Sequence, residues 1–212
     1  YLMISVAKSV YDPKEDSHLL AAAVEKYAHG TVLDMGTGSG IQAIAAAKKK
    51  EVKSIVAADI SDEALRFAAG AAAKEGVAGK IRFARSDLFS SQLLQNKKFD
   101  TIIFNPPYLP QDKGVEDSAI YGGKHGYEIL QQLIGSCSSH LADDGVVLIV
   151  FSSRTNKQKV DEAIERSCLE FEELQRKHLF FETLYVYSIK KSQLLLQLQQ
   201  KGISDVALFE KG

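Results

Sequence analysis

The stretch Asp34-Met-Gly36-Thr-Gly38-Ser-Gly40 separates an apolar run from an Ala-rich run, and it decides the fold. Residues 31–35, which overlap its start, are typical of a buried strand, and residues 41–50 after it are typical of a helix. The three glycines allow positive φ and let a ligand approach the backbone where the helix starts. The spacing is not the dinucleotide fingerprint G-x-G-x-x-G, and no Lys-Ser/Thr pair follows as in a phosphate-binding loop.

The alternation of strands and helices continues along the chain and predicts an α/β fold. Further strands are expected at residues 54–60, 80–86, 99–104 and 145–151, and further helices at 61–75, 127–141 and 155–168. Such alternation predicts a mostly parallel sheet with helices on both faces. A closing pair of strands, at 169–177 and 181–189, is joined too tightly for a helical crossover. We therefore expect seven strands, with one antiparallel strand in the region of one edge.

The composition excludes several classes of protein. The 212 residues are 45% hydrophobic and 25% charged, which is enough for one sizeable core and rules out a mainly disordered chain. A net charge of −1 argues against bulk attraction to nucleic acid or to an anionic membrane. The apolar runs are far shorter than the roughly 20 residues that span a bilayer. Two Cys and five His without ligand spacing predict no metal site, and a cytoplasmic location is expected.

Three acidic residues end successive strands of the expected sheet. Asp34 ends the first strand, Asp59 the second, and Asp87 follows the third. Ligands of doubly wound sheets bind at the carboxyl ends of the strands. Asp34 suits an ammonium group, Asp59 can accept both hydroxyls of a ribose, and Asp87 can accept an adenine amino group. This set predicts S-adenosyl-L-methionine, a nucleoside that carries an amino acid.

The expected fourth strand ends in Asn105-Pro106-Pro107-Tyr108. Two prolines fix φ and remove two N–H donors, so this corner presents acceptors. The Asn105 side-chain oxygen and the Pro106 carbonyl can each accept one hydrogen of an NH₂ group, while the Tyr108 ring packs against its flat carrier. This pair of acceptors suits the NH₂ group of either a nucleobase or a carboxamide, and it orients the nitrogen lone pair toward an activated methyl group. Asn105, Pro106 and Tyr108 are the expected catalytic residues, and the whole motif, including Pro107, is expected to bind substrate.

These motifs together resemble those of class I S-adenosyl-L-methionine-dependent methyltransferases of the amino-methylating kind. The segment Val10-Tyr-Asp-Pro-Lys-Glu-Asp-Ser17 resembles the one that closes over the cofactor in the HemK-like protein glutamine N5-methyltransferases. Gly122-Gly-Lys-His-Gly126 resembles the segment after their substrate loop. Only about 30 residues precede the glycine turn, as in the short archaeal and eukaryotic form. The resemblance covers residues 10–190.

The resemblance implies a Rossmann-like class I methyltransferase fold that methylates the Gln side chain in the Gly-Gly-Gln motif of a peptide chain release factor. The expected cofactor-binding residues are Ser17, Asp34, Gly36, Gly38, Gly40, Asp59, Asp87 and Leu88. A methyltransferase domain is expected over residues 1–190, with a lead-in segment at 1–30 and the Rossmann-like core at 31–190. The C-terminal extension at 191–212 favours a short amphipathic helix around 194–198 and a short strand at 206–209.

Two other functions and one partner remain open. The Asn105–Tyr108 corner fits an adenine or guanine amino group equally well, which would make the chain an RNA or DNA methyltransferase. A cofactor-binding scaffold without catalysis is the third possibility, but it gives no chemical reason to keep that corner. The resemblance also implies a small zinc-containing activator subunit, which could add a strand to the edge formed by residues 80–86.

Overall fold

The computed structural model describes residues 13–107 and 125–202, and their strands form one seven-stranded sheet in the order β3-β2-β1-β4-β5-β7-β6. The strands are β1 (Gly30–Met35), β2 (Val52–Asp59), β3 (Ile81–Arg85), β4 (Phe99–Phe104), β5 (Leu141–Ser152), β6 (Leu169–His178) and β7 (Thr183–Lys191). The first five strands are mutually parallel. β7 is antiparallel to both β5 and β6, so the expected antiparallel strand is confirmed next to one edge.

Six α-helices of the described ranges cover the two faces of this sheet. They are α1 (Glu15–Tyr27), α2 (Ile41–Ala47), α3 (Asp62–Lys74), α4 (Glu128–Cys137), α5 (Lys157–Arg166) and α6 (Gln193–Gln200). Buried side chains of α1, α2 and α3 form one core with the sheet, and those of α4, α5 and α6 form the other. The predicted α/β class and the helices on both faces are therefore confirmed.

Several boundaries differ from the expected ones. The lead-in segment contains a helix, α1, that its sequence was not expected to form, and its apolar side buries Leu20, Ala23 and Val24. The helix expected at 127–141 ends at Cys137, because a 3-10 turn over Ser138–His140 leads directly into β5. The helix in the C-terminal extension is confirmed as α6, whereas the strand expected at 206–209 lies outside the described residues.

The start of the C-terminal extension is anchored to the sheet. Lys191 has a fully buried side chain whose Nζ donates to Asp143 Oδ1 at 2.8 Å and to Gln199 Oε1 at 2.9 Å. Leu195, on the same helix as Gln199, is buried in the core on that face. A buried ammonium is costly unless it is paired, so these two acceptors hold α6 against β5. Among the helices in the described ranges, none has the length and apolarity required to cross a bilayer.

Candidate functional site

The glycine turn, residues 36–40, connects β1 to α2, and its three glycines have a left-handed backbone conformation. Gly36, Gly38 and Gly40 have φ values of +62°, +52° and +83°, as the sequence predicts. A Cβ atom built on Gly40 would lie 2.9 Å from the Cβ of Ala68 on α3. Glycine is therefore required at position 40 for two reasons, its positive φ and the direct packing of α3 against the end of the turn.

Asp34 lies beneath the turn and is only 1% exposed. Its Oδ2 accepts from the Thr37 hydroxyl at 2.6 Å and from the Ala43 backbone N–H at 3.0 Å. Burial, with a smaller contribution from the nearby Asp59 charge, raises the pKa of this carboxyl to about 7, although the two hydrogen bonds act in the opposite direction. The Asp34 carboxyl thus holds both the glycine turn and the first turn of α2 in place.

Asp59 joins the end of β2 to the glycine turn. Its Oδ2 accepts from the Gly38 N–H and its Oδ1 from the Ser61 N–H, both at 2.9 Å. These bonds hold the carboxylate at the carboxyl edge of the sheet. Each oxygen keeps further lone-pair capacity for a ligand hydroxyl.

The third acidic position lies in a tight turn after β3. Asp87 is exposed, and its backbone N–H bonds to the Ser90 hydroxyl at 3.1 Å. Leu88 has a φ of +44°, a strained value for a residue with a Cβ, and the Ser86 hydroxyl donates to its carbonyl. The turn therefore holds Asp87 and Leu88 in fixed positions beside the end of β2.

Asn105 lies directly after β4, and the nitrogen and the oxygen of its side-chain amide differ in their hydrogen bonding. Its Nδ2 lies 3.1 Å from Ser17 Oγ and 3.4 Å from Asp16 Oδ2, both on the first turn of α1. Its Oδ1 is buried and has no hydrogen-bond partner among the described residues. A buried acceptor without a partner costs about 1–3 kcal/mol, so such an atom requires an explanation.

The contacts of α1 reach both Asn105 and the first turn of α2. Asp16 and Ser17 are each 2% exposed, and the Ser17 carbonyl accepts from Gln42 Nε2 at 2.9 Å. Gln42, on the first turn of α2, also has a buried oxygen, Oε1, without a partner in the described part of the chain. Asp16 and Gln42 were not expected in the site. Asp16 lies beside Ser17 in the segment Val10–Ser17, whose resemblance to the HemK-like enzymes was the available signal.

The remaining predicted residues are only partly covered by the structure. Pro106 is buried and Pro107 is half-buried beside Asn105. Tyr108 lies outside the described residues, as do the segment from Val10 to Asp12 and most of the Gly122–Gly126 motif. Within the described ranges, no three His, Cys, Asp or Glu side chains cluster as a set of metal ligands.

The sheet order brings four of these features to one edge. The Asp87 turn, Asp59, the glycine turn and Asn105 follow β3, β2, β1 and β4, which are consecutive neighbours in the sheet. The edge thus carries carboxylates and a glycine turn beside a buried amide oxygen. Such an arrangement can bind a polar ligand on the turn and present the NH₂ of a second molecule to it.

A family model described as the methyltransferase small domain matches residues 9–182. The chain belongs to this methyltransferase family. The enzyme is 36% identical over 190 residues to a protein of Methanocaldococcus jannaschii that is provisionally named a protein N5-glutamine methyltransferase. The match covers 87% of this chain and 93% of that protein.

Longer bacterial relatives match the methyltransferase over part of their length. A release factor glutamine methyltransferase of Koribacter versatilis is 34% identical over 158 residues, which cover 68% of this chain and 55% of that protein. The chain thus spans just over half the length of this relative.

Solved structures confirm the fold. The Mtq2–Trm112 complex of E. cuniculi, described as responsible for methylation of the termination factor eRF1, contains a chain that matches with a TM-score of 0.67 and 24% identity. That match covers 87% of this methyltransferase and 99% of the other chain. A ribosomal protein L11 methylase of Lactobacillus delbrueckii matches with a TM-score of 0.63 and 27% identity, over 87% of this chain and 84% of that one. The Rossmann-like methyltransferase fold is therefore shown.

Proposed function

We propose that this methyltransferase transfers a methyl group from S-adenosyl-L-methionine to the side-chain amide nitrogen of Gln in a peptide chain release factor. The observation that supports this proposal most directly is the buried Asn105 Oδ1, which has no hydrogen-bond partner within residues 13–107 and 125–202. Because Ser17 and Asp16 hold the Nδ2 end, this oxygen is an acceptor fixed in place for an incoming N–H. The relatives named as glutamine methyltransferases favour an amide as the group that supplies it.

The described residues fit S-adenosyl-L-methionine. The space beside Gly38 is open, because a Cβ built there would have one neighbour within 4 Å, a backbone oxygen at 3.8 Å. With glycine at this position, a ligand can approach the backbone of the turn directly. Asp59 stands at the end of β2, where a carboxylate can accept from ribose hydroxyls. Asp87 and Leu88 would flank the adenine, and Asp34 would compensate the charge of the amino acid ammonium. When bound, the cofactor would supply a methyl group activated by its positively charged sulfur.

Residues of the chain itself prepare the acceptor. The Asn105 oxygen accepts one amide N–H and the Pro106 carbonyl accepts the other, so the amide plane is fixed by two points. Both acceptors carry partial negative charge and favour the positive charge that develops on nitrogen during transfer. The proline pair fixes φ and keeps this corner stiff. Orientation and electrostatics then favour transfer without a metal.

The experiment that tests this function is transfer of labelled methyl groups to a panel of acceptors. The panel contains release factor, the same factor with its Gly-Gly-Gln Gln replaced by Ala, tRNA, rRNA and DNA. We expect label in the release factor and none in the Ala version. Label in RNA or DNA alone would contradict the proposal and favour a nucleobase as the flat acceptor.

Binding of the cofactor should depend on pH through Asp34. Its folded-state pKa of about 7 lies above the ordinary value of 3.8, so between about pH 4 and 7 the folded chain holds a proton that the unfolded chain has lost. The free energy of unfolding contributed by this group therefore falls as pH rises through that window. A cofactor ammonium pairs with the ionised carboxyl, so affinity should rise with pH, by up to about tenfold per unit, and level off above pH 7.

Calorimetric titration with adenosylhomocysteine at several pH values measures this dependence. The matched variant is Asp34→Asn, which keeps the size of the side chain but cannot ionise. An equal pH dependence in the two proteins would contradict the assignment of Asp34 to the ammonium.

We also propose that a small zinc-containing activator adds a strand to β3. β3 lies at one end of the strand order, and an edge strand offers backbone groups for pairing. Ile60, directly after β2, and Phe67, on α3, are 56% and 50% exposed, and α3 packs on β3. Exposed apolar side chains beside an edge strand suit a protein partner.

Co-expression with such a subunit should raise both methyl-transfer activity and soluble yield. Phe67→Asp should weaken capture of the subunit without changing the melting temperature, since Phe67 is half exposed. Unchanged activity and yield on co-expression would refute the proposed partner.

A further inference from the structure

The hairpin between β6 and β7 carries an exposed pair of aromatic rings. We define its tip as residues 179–182. Phe180 and Phe181 are 92% and 85% exposed, far more than the other large hydrophobic side chains of the described residues. Their rings pack edge to face, with centroids 4.6 Å apart and planes at 82°. The pair is a compact apolar knob and not a set of parallel faces on which successive bases could stack.

Hydrogen bonds hold this tip in one shape. The Leu179 N–H donates to the Glu182 carbonyl at 2.8 Å and closes the turn. The Ser152 hydroxyl, at the end of β5, donates to the Glu182 carboxylate, and the Thr183 N–H donates to Ser153 Oγ at 3.0 Å. The exposure of the two rings is therefore built into the backbone, and little backbone ordering entropy has to be lost when a partner covers them.

The tip stands beside the reacting corner and projects beyond it. Phe104 is level with Ile149 on β5, which is level with Tyr187 on β7. β7 lies two strand spacings from β4, a sideways distance of about 10 Å. Along the strand direction, Thr183 at the start of β7 lies about 10 Å beyond the level of Asn105. A Gln side chain spans only about 5 Å from its Cα to its amide nitrogen. A protein that delivers such a side chain to Asn105 therefore brings the surface around that Gln close to the tip.

We propose that Phe180 and Phe181 form a docking knob for the protein substrate, seated in an apolar recess beside the methyl-acceptor Gln. This inference rests on the proposed function and deepens it, because it assigns recognition of the folded substrate to a surface separate from the amide grip. Two exposed aromatic side chains on a fixed turn are the kind of anchor that dominates interface energetics. Arg154, exposed on the 3-10 turn Ser153–Thr155 beside the tip, suits an acidic rim around that recess.

The test compares the double variant Phe180→Ser/Phe181→Ser with the wild type on two acceptors, the intact release factor and a short peptide containing Gly-Gly-Gln. For the intact factor we expect KM to rise about tenfold or more while kcat stays within about twofold. Turnover of the peptide and affinity for adenosylhomocysteine should not change. The control is Leu194→Ser, which removes a side chain of 56% exposure from α6, beyond the opposite end of β7, and should leave both KM values unchanged.

Each other result overturns the docking knob in a distinguishable way. An unchanged KM for the intact factor refutes the docking knob while leaving the proposed function intact. The same conclusion holds if size-exclusion chromatography shows that the variant has lost a dimer. A parallel loss on factor and peptide would make the tip part of the catalytic site or of the fold. If the wild type does not use the peptide, the split between KM and kcat on the intact factor decides. A wild type that methylates only nucleic acid refutes both the proposed function and this inference.

Discussion

Asn105→Ala is expected to lower kcat for methyl transfer by about 10²–10³-fold or more while leaving affinity for adenosylhomocysteine nearly unchanged. The variant removes a buried side-chain oxygen, Asn105 Oδ1, that has no hydrogen-bond partner in the described part of the chain. Loss of a single fixed hydrogen-bonding group that acts on the reacting atoms typically costs about 3–4 kcal/mol of transition-state stabilisation. Single-turnover rates and calorimetric titration separate the two effects, since Asn105 is proposed to contact the acceptor and not the cofactor.

Ser17→Ala provides a graded companion to that variant. It leaves Asn105 Oδ1 in place but removes the Oγ that lies 3.1 Å from Nδ2, so the amide is less firmly oriented. We expect kcat between those of the wild type and Asn105→Ala. The matched control is Gln158→Ala, which removes an exposed amide from α5 and should change nothing. Turnover retained by Asn105→Ala would refute the proposed amide grip.

Gly40→Ala is expected to lower the free energy of unfolding by about 2–5 kcal/mol and to weaken cofactor binding strongly. The φ of +83° at this position costs a residue with a Cβ about 1–2 kcal/mol. The new Cβ would also lie 2.9 Å from Ala68 Cβ and 3.1 Å from its Cα, so either the turn or α3 would have to shift. Overpacking of this kind adds about 1–3 kcal/mol.

Gly76→Ala isolates the backbone cost in that prediction. Gly76 has a φ of +71°, and a Cβ there would meet nothing within 4 Å. Denaturant unfolding of the two variants should therefore show a clearly larger loss for Gly40→Ala. Equal losses would show that the packing of α3 on the glycine turn contributes nothing to its shape.

The local part of the site could be predicted from the sequence. A strand, three glycines and a helix are adjacent in the chain, so Gly36, Gly38 and Gly40 reveal the turn and its positive φ values directly. The strand ends that carry Asp59 and Asp87 follow from the alternation of elements. Once the sheet is parallel, its carboxyl ends must share one edge.

The long-range part of the site could not be predicted. The contact between Ser17 and Asn105 joins residues 88 positions apart, and nothing in either segment specifies which end of the amide faces the partner. α1 itself was missed because its segment was interpreted by resemblance alone, although Leu20, Ala23 and Val24 have helical spacing. The unpartnered Asn105 oxygen becomes visible only when α1 and β4 are placed together.

The closing hairpin shows the same limit. Its tight connection predicts an antiparallel pair, but either strand could have paired with β5, and the structure selects β7. The exposed tip was also missed. Residues 181–189 were expected to form one strand, whereas the turn closed by Leu179 and Glu182 delays β7 until Thr183. That delay leaves Phe180 and Phe181 outside the sheet.

The most direct test of the proposed amide grip is a crystal structure of the enzyme with adenosylhomocysteine and a Gly-Gly-Gln peptide bound together. The account predicts the Gln amide nitrogen within about 3 Å of Asn105 Oδ1, with the ligand sulfur facing that nitrogen from the side of the glycine turn. A Gln side chain bound elsewhere, or an Asn105 oxygen that still has no partner in this complex, would contradict it.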